Sequence, residues 1–195
     1  GDKVTKGGWY HINYDNMVFV TGGGSHYVKE RIYKASGIFR KYSFNDSKKS
    51  WDMNKNLWKN TGRKLMYFDG SGTCTILYDQ ASNILYRYIS SSKSYKRVSN
   101  VIDKLNGSRY YFYDANGNRR TSSGWKKVNG STAYYVCDGG YVTSRYTDQK
   151  GTKKVYDFDY SKNTWVQKKN MWKTVYRSRY YFGSKGVATM SYNNS

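Results

Sequence analysis

The chain has 195 residues, among them 23 Tyr, 7 Phe, 6 Trp and no Pro, and carries a net charge of +21. An aromatic share of 18% excludes the composition of a disordered chain, and a mean hydropathy of -0.92 excludes a large aliphatic core. The apolar runs are only a few residues long, which excludes a membrane-spanning helix.

In chain order, aromatic-polar alternation between Gly, Asn and Asp turns predicts about eight β-hairpins. They fall near 9–23, 38–53, 58–77, 84–98, 102–121, 125–146, 155–167 and 172–190. Helical periodicity is absent. The stretch from Gly107 to Val136 shows the unit most clearly. Alternation there puts Arg109, Tyr111 and Tyr113 on one face and Tyr110 and Phe112 on the other. Phe112 is expected inward and Tyr111 outward beside Arg109. Ala115-Asn116-Gly117 is expected to form the turn.

Fixed spacings support a repeat. Phe44 and Trp51, Tyr88 and Tyr95, and Phe158 and Trp165 are each seven residues apart, and five further on stand Asn56, Asn100 and Asn170. Trp58, Ile102 and Trp172 follow two residues later, and Phe68, Phe112 and Phe182 ten after those. Asn56 and Asn100 are 44 residues apart but Asn100 and Asn170 are 70, an excess that fits one additional hairpin opened by Trp125. Gly72 to Tyr78, Gly140 to Tyr146 and Gly186 to Tyr192 are expected to be linking segments.

Hairpins of this length are not stable singly and must stack. The expected architecture is an all-β solenoid of about eight stacked hairpins, because a linear array accepts an extra unit where a closed ring does not. The alternative is a β-propeller-like arrangement. Residues 1–195 are expected to form one repeat domain. Residues 1–37 would be a degenerate repeat, followed by hairpin-pair units at 38–78, 79–146 and 147–195, the middle one with an extra hairpin.

The segments SSGWKKVNGSTAYYVCDGGYVT, KLNGSRYYFYDANGNRRT and NMWKTVYRSRYYFGSKGVAT resemble the cell-wall-binding repeats of Gram-positive surface proteins, including choline-binding, glucan-binding and large clostridial toxin repeats. The resemblance implies a hairpin solenoid in a secreted or cell-surface protein, binding carbohydrate or cell-wall polymer without catalysis. Gly124-Trp125 keeps that family's Gly-Trp start, whereas Leu57-Trp58, Val101-Ile102 and Met171-Trp172 depart from it. Leu65, Arg109, Ala133 and Arg179 lie at or near places where the choline-binding pattern has an aromatic. An acidic sugar, met by stacking and charge-assisted hydrogen bonds, therefore suits the chain better than a quaternary ammonium.

Ligand-binding candidates are Trp58, Tyr67, Arg109, Tyr111, Trp125, Tyr135, Trp172, Arg179 and Tyr181. The competing assignment makes the same rings packing between hairpins. Expected partners are cell-wall polysaccharide, teichoic acid or acidic glycan. The excess of 34 Lys and Arg over 13 acids also admits nucleic acid through nonspecific charge. A structural spacer or protein-interaction array is a further alternative.

Catalysis, metal and cofactor find little support. Glu30 is the sole glutamate, Asp69, Asp114 and Asp138 precede turns, and Asp157 and Asp159 flank Phe158 on one expected strand. His11 and His26 have no second ligand at metal spacing. Cys74 and Cys137 lie 63 residues apart in nonadjacent hairpins and are expected to be unpaired. A repeat already under way at Trp9 suggests that further segments precede it.

Overall fold

The computed structural model of the chain describes residues 5–22, 26–107 and 109–193. The boundary expected at 23, parts of the N-terminal segment and residue 108 of the 102–121 hairpin lie outside the described residues. The fold is all-β: among those residues the one helical element is a 3-10 turn at Ser90–Ser92. The chain divides into two compact units, Gly1–Arg97 and Val98–Ser195.

In the first unit, β1 (Gly8–Asn13), β2 (Asn16–Val20), β3 (Val28–Ala35), β4 (Ile38–Asn45) and β5 (Ser50–Met53) form one antiparallel sheet in sequential order. A second five-stranded sheet follows from β6 (Leu57–Asn60), β7 (Lys64–Phe68), β8 (Cys74–Asp79), β9 (Ile84–Ile89) and β10 (Ser94–Arg97). The second unit opens with a three-stranded sheet of β11 (Val101–Lys104), β12 (Tyr110–Tyr113) and β13 (Arg119–Arg120). The fourth sheet has five strands, β14 (Gly124–Asn129), β15 (Thr132–Val136), β16 (Val142–Gln149), β17 (Thr152–Asp159) and β18 (Thr164–Gln167). The fifth has three, β19 (Met171–Val175), β20 (Ser178–Phe182) and β21 (Ala188–Asn193).

The expected hairpins are present as strand pairs, but they are joined into larger sheets. The segments expected to be linkers are strands: Gly72–Tyr78 runs into β8, Gly140–Tyr146 into β16 and Gly186–Tyr192 into β21. The reason is a recurring turn. Gly72, Gly117, Gly140 and Gly186 adopt φ of 78, 75, 74 and 70°, and their N–H groups donate to the carbonyls of Asp69, Asp114, Cys137 and Gly183. Such a three-residue loop needs a left-handed residue at its end, where a Cβ would be strained, and it sends the chain straight back along the preceding strand. The segment expected to be a degenerate repeat also contains a full strand, β3.

The spaced asparagines have a backbone cause. Asn56, Asn100 and Asn170 lie at φ of 51, 46 and 51°, each immediately before a new sheet, and their N–H groups bond the Asp69, Asp114 and Gly183 carbonyls. Asparagine tolerates this left-handed region better than most side chains.

The alignment of Phe112 with Phe68 and Phe182 is corrected by register. Phe68 faces Leu57 and Phe182 faces Met171, but Tyr113 faces Val101 while Phe112 faces Ile102. The connection from Lys104 to Tyr110 is one residue longer than that from Asn60 to Leu65, so every residue of β12 is displaced by one position. Tyr113, fully buried, fills the place of Phe68 and Phe182. Phe112 is buried as expected.

Within the first unit, Met17, Ile32 and Phe39 of the first sheet pack with Met66, Phe68, Cys74 and Leu77 of the second. The Tyr95 hydroxyl ties the layers, donating to the Cys74 carbonyl at 2.7 Å and accepting from Phe39 N–H at 3.3 Å. In the second unit, Phe112, Val136 and Val142 form one cluster with Ile102, Tyr110, Tyr134 and Trp165. Ala133, Tyr146 and Val175 form another with Trp125 and Tyr180. Each large side chain buried this way contributes about 1.5–3 kcal/mol. Cores of this kind are thin layers between sheets, as the few aliphatic residues demand.

The first unit also buries charge. Lys41 is 2% exposed, and its Nζ donates to Glu30 Oε1 at 3.0 Å, Ser43 Oγ at 3.1 Å and Asn54 Oδ1 at 2.7 Å. Lys59 of β6 pairs with the other carboxylate oxygen of Glu30 at 2.6 Å. Cys74 and Cys137 are free thiols, and burial pushes that of Cys74 up to about 12.

Candidate functional site

The second unit contains two cavities, of about 830 and 580 Å³, that share Trp125 and Tyr176. Trp125 is the second residue of β14 and faces Tyr135 across the strand pair, with ring centroids 5.5 Å apart. Tyr146 and Tyr176 stand 6.3 and 6.4 Å from the same ring. The indole Nε1 donates to the Thr174 carbonyl at 3.0 Å, which fixes the ring between the fourth and fifth sheets. Tyr176 lies in the β19–β20 turn at φ 56° and is 50% exposed. A non-glycine residue in that region is uncommon, and here it turns a large ring toward the cavities.

The larger cavity is rimmed by Asn116, Arg120, Lys126, Asn129 and Ser131, and the smaller by Thr143, Ser144 and Lys173. Arg120 is paired with Asp114 at 2.7 Å, and Lys126 donates to Ser122 Oγ at 3.1 Å. Lys173 reaches Asp157 at 3.4 Å. Burial raises the Tyr146 and Tyr176 hydroxyls above their ordinary range, so both stay neutral at physiological pH. The outcome is aromatic rings beside amide, hydroxyl and cationic groups, able to stack on a flat apolar face and hydrogen-bond its edges.

The expected ligand residues come together as pairs on separate sheets. Trp58 and Tyr67 face each other at 5.3 Å, and Trp172 and Tyr181 at 5.5 Å. The guanidinium of Arg179 lies over the Trp172 ring at 5.3 Å, and Trp172 is 41% exposed. Arg109 does not stand beside Tyr111: it is exposed and covers Tyr141 at 4.2 Å, while Tyr111 is covered by Arg119 at 4.5 Å. Through the register displacement in β12, Phe112 occupies the place that Tyr67, Tyr135 and Tyr181 hold elsewhere.

Sequence reasoning missed Tyr146 and Tyr176. The Gly140-to-Tyr146 spacing was a usable signal, because it marks the third strand of a sheet; Tyr176 has no periodic partner. It also missed two filled aromatic cages. Arg31 lies over Trp51 at 4.4 Å, Tyr42 at 5.3 Å and Tyr33 at 5.5 Å. Arg145 lies over Tyr156 at 4.4 Å and Trp165 at 5.1 Å. The Nε of each is buried without a hydrogen-bond acceptor among the described residues.

The acidic candidates have other work. Asp157 accepts from Ser144 at 2.7 Å, whereas Asp159 accepts from Ser161 Oγ at 2.6 Å and from the Ser161 and Lys162 amides at 3.0 and 3.1 Å. Burial opposes ionisation of Asp69, but hydrogen bonds from Ser71 and the Thr73 and Gly72 amides hold its carboxyl below the usual range. No cluster of three or more His, Cys, Asp or Glu with metal-binding geometry exists among the described residues. No helix there is long and apolar enough to cross a membrane.

No family model matches the chain. It is 26% identical over 227 residues to Glucosyltransferase-I of Streptococcus downei, covering 96% of this chain and 13% of that protein. Among solved structures, CbpJ of Streptococcus pneumoniae is 18% identical, with 94% of this chain and 52% of that one covered and a TM-score of 0.26. An alternansucrase in complex with isomaltononaose is 16% identical over 96% of this chain and 16% of its own, with a TM-score of 0.25. The chain thus spans about an eighth of the curated relative it matches.

Proposed function

We propose that the chain is a noncatalytic binding module that holds a secreted or surface protein on cell-wall polysaccharide or an acidic glycan. The observation that carries this reading is Trp125, whose ring is shared by two cavities and flanked by Tyr146 and Tyr176 under a polar and basic rim. The likeness to a segment of a glucosyltransferase agrees with a role beside glucan. On this reading the hairpin pairs stack as a solenoid, and Trp58–Tyr67 and Trp172–Tyr181 offer further, weaker platforms along the polymer.

The test is retention of the full chain on insoluble glucan, purified cell walls and immobilised DNA across a salt series. Retention on the glycan phases at high salt, with DNA released, is the expected result. Trp125→Ala should weaken glycan binding about tenfold, equivalent to about 1.4 kcal/mol, without abolishing it. Equal loss from all three phases at modest salt, or no change in Trp125→Ala, overturns the reading.

A further inference from the structure

From the Lys41–Asn54–Glu30 cluster we infer that the first sheet forms an intramolecular isopeptide cross-link between Lys41 and Asn54, with Glu30 as the proton carrier. Three observations meet here. Lys41 is 2% exposed, so its amine is shielded from water. Asn54 Oδ1 lies 2.7 Å from Lys41 Nζ, which holds the amide group whose carbon would be attacked against the amine. Glu30 Oε1 lies 3.0 Å from the same Nζ, within reach to take a proton.

The surrounding groups fit the reaction. Ser43 Oγ donates to Asn54 Oδ1 at 2.8 Å, so the oxygen that gains charge during attack already has a donor. Lys59 holds the far oxygen of Glu30 at 2.6 Å, and Trp9 and Phe19 lie 5.1 and 5.8 Å from its ammonium. The Asn54 N–H donates to the Lys41 carbonyl at 2.9 Å, so the two residues sit opposite each other across β4 and the end of β5. Burial lowers the pKa of Lys41 against the opposing pull of Glu30, which eases formation of the free amine.

The step balances without an oxidant or co-reactant. The Lys41 ammonium passes a proton to the Glu30 carboxylate, and the amine nitrogen bonds to Asn54 Cγ. Glu30 relays that proton to Nδ2, then takes the second proton from the attacking nitrogen and passes it to the same leaving nitrogen, as the Cγ–Nδ2 bond breaks and the carbonyl re-forms. Nitrogen leaves as ammonium, so the protein loses one ammonia and one positive charge. The fourth sheet cannot do this, since Val155 and Lys168 take the places of Lys41 and Asn54.

The experiment is intact-mass measurement of the purified, unfolded full chain, followed by peptide mapping. The wild type should fall short of its sequence mass by one ammonia and yield a branched peptide joining residues 41 and 54. Asn54→Asp should reach the same final mass by losing water instead. Asn54→Ala, which keeps the Lys41–Glu30 pair, and Glu30→Gln should both show their full sequence masses. A wild-type chain of full mass after prolonged incubation in the folded state overturns the inference. So does a cross-link that persists in Asn54→Ala or maps elsewhere, and one that persists in folded Glu30→Gln overturns the role of Glu30.

Discussion

The first and fourth sheets are two solutions to the same five-stranded pattern. Both carry an arginine in an aromatic cage, Arg31 and Arg145, and both pair a Phe with a Trp in an edge contact. Those rings are 5.3 Å apart for Phe44–Trp51 and 4.9 Å for Phe158–Trp165. Both also receive a lysine from the sheet that follows, Lys59 onto Glu30 and Lys173 onto Asp157. Between these shared features the polar groups have moved. Glu30, Ser43, Lys41 and Asn54 in the first sheet correspond to Ser144, Asp157, Val155 and Lys168 in the fourth. A carboxylate between two lysines is kept in each, but only the first sheet drives a lysine into the interior. The ring-and-arginine frame is therefore the conserved mechanical part, and the charge seam can be rearranged as long as it stays neutralised.

The sharpest way to break this comparison is to move the buried lysine across. Val155 is fully buried, and the carboxylate two residues along its strand, Asp157, already faces Lys168 at 3.5 Å and Lys173 at 3.4 Å. Val155→Lys would bury a charge with no unengaged carboxylate and should cost about 3–5 kcal/mol, read as a lower urea midpoint. An unchanged midpoint would mean that the fourth sheet accommodates an interior lysine as readily as the first.

A smaller effect sharpens the shared part. Arg31→Ala and Arg145→Ala should each destabilise by about 2 kcal/mol, because each empties a desolvated cage rather than removing a surface charge. The second sheet shows the alternative filling. Leu77 takes the arginine's place, 3% exposed, and Tyr88 and Tyr95 take the places of the Phe and Trp at 5.3 Å. Thermal melts of the two alanine variants should shift alike; a shift in only one would show that the cages are not equivalent.

These cages also show what was legible in the sequence. The seven-residue spacing of Phe44–Trp51, Tyr88–Tyr95 and Phe158–Trp165 marked the ring pairs, because strand pairing across a short turn fixes that distance. It did not show the arginines: Arg31 and Arg145 each stand 13 residues before the Phe of their pair, but the second sheet breaks that spacing with Leu77, eleven residues before Tyr88, so only the ring pairs recur in all three copies. The spaced asparagines were legible as a period but not as left-handed residues. Tyr111 was misplaced because one extra residue before β12 is invisible to a count that starts at Ile102 and lands on a plausible Phe. Trp125 and Tyr135 were legible as a pair, but the cavities depend on Tyr176, brought from the next sheet by a turn that alternation does not describe.

The pH response should separate the two sheets further. Burial opposes ionisation of Glu30, yet the hydrogen bonds and charges of Lys59 and Lys41 prevail and hold its carboxyl below the ordinary 4.5. A depressed carboxylate contributes stability that is complete above its unfolded pKa and is lost as pH falls through the folded value. Acid titration of Asn54→Ala, in which Lys41 keeps its charge, should therefore show a loss of stability beginning below about pH 4.5 that is diminished when Glu30→Gln is added. Tryptophan fluorescence during the titration, with Trp9 and Trp51 replaced by Phe in a parallel sample, would assign the change to the first sheet.

The smallest expected effect concerns the ring that only the fourth and fifth sheets bring together. Tyr176 is half exposed, so Tyr176→Ala should leave the melting temperature nearly unchanged. Its φ of 56° suits glycine better than any side chain, and Tyr176→Gly should even relieve local strain. If that strained position persists because the ring serves the cavities, both variants should bind glycan a few-fold more weakly while folding as well as the wild type. Equal binding by the wild type and both variants would leave Trp125 as the whole platform and reduce the turn to a packing accident.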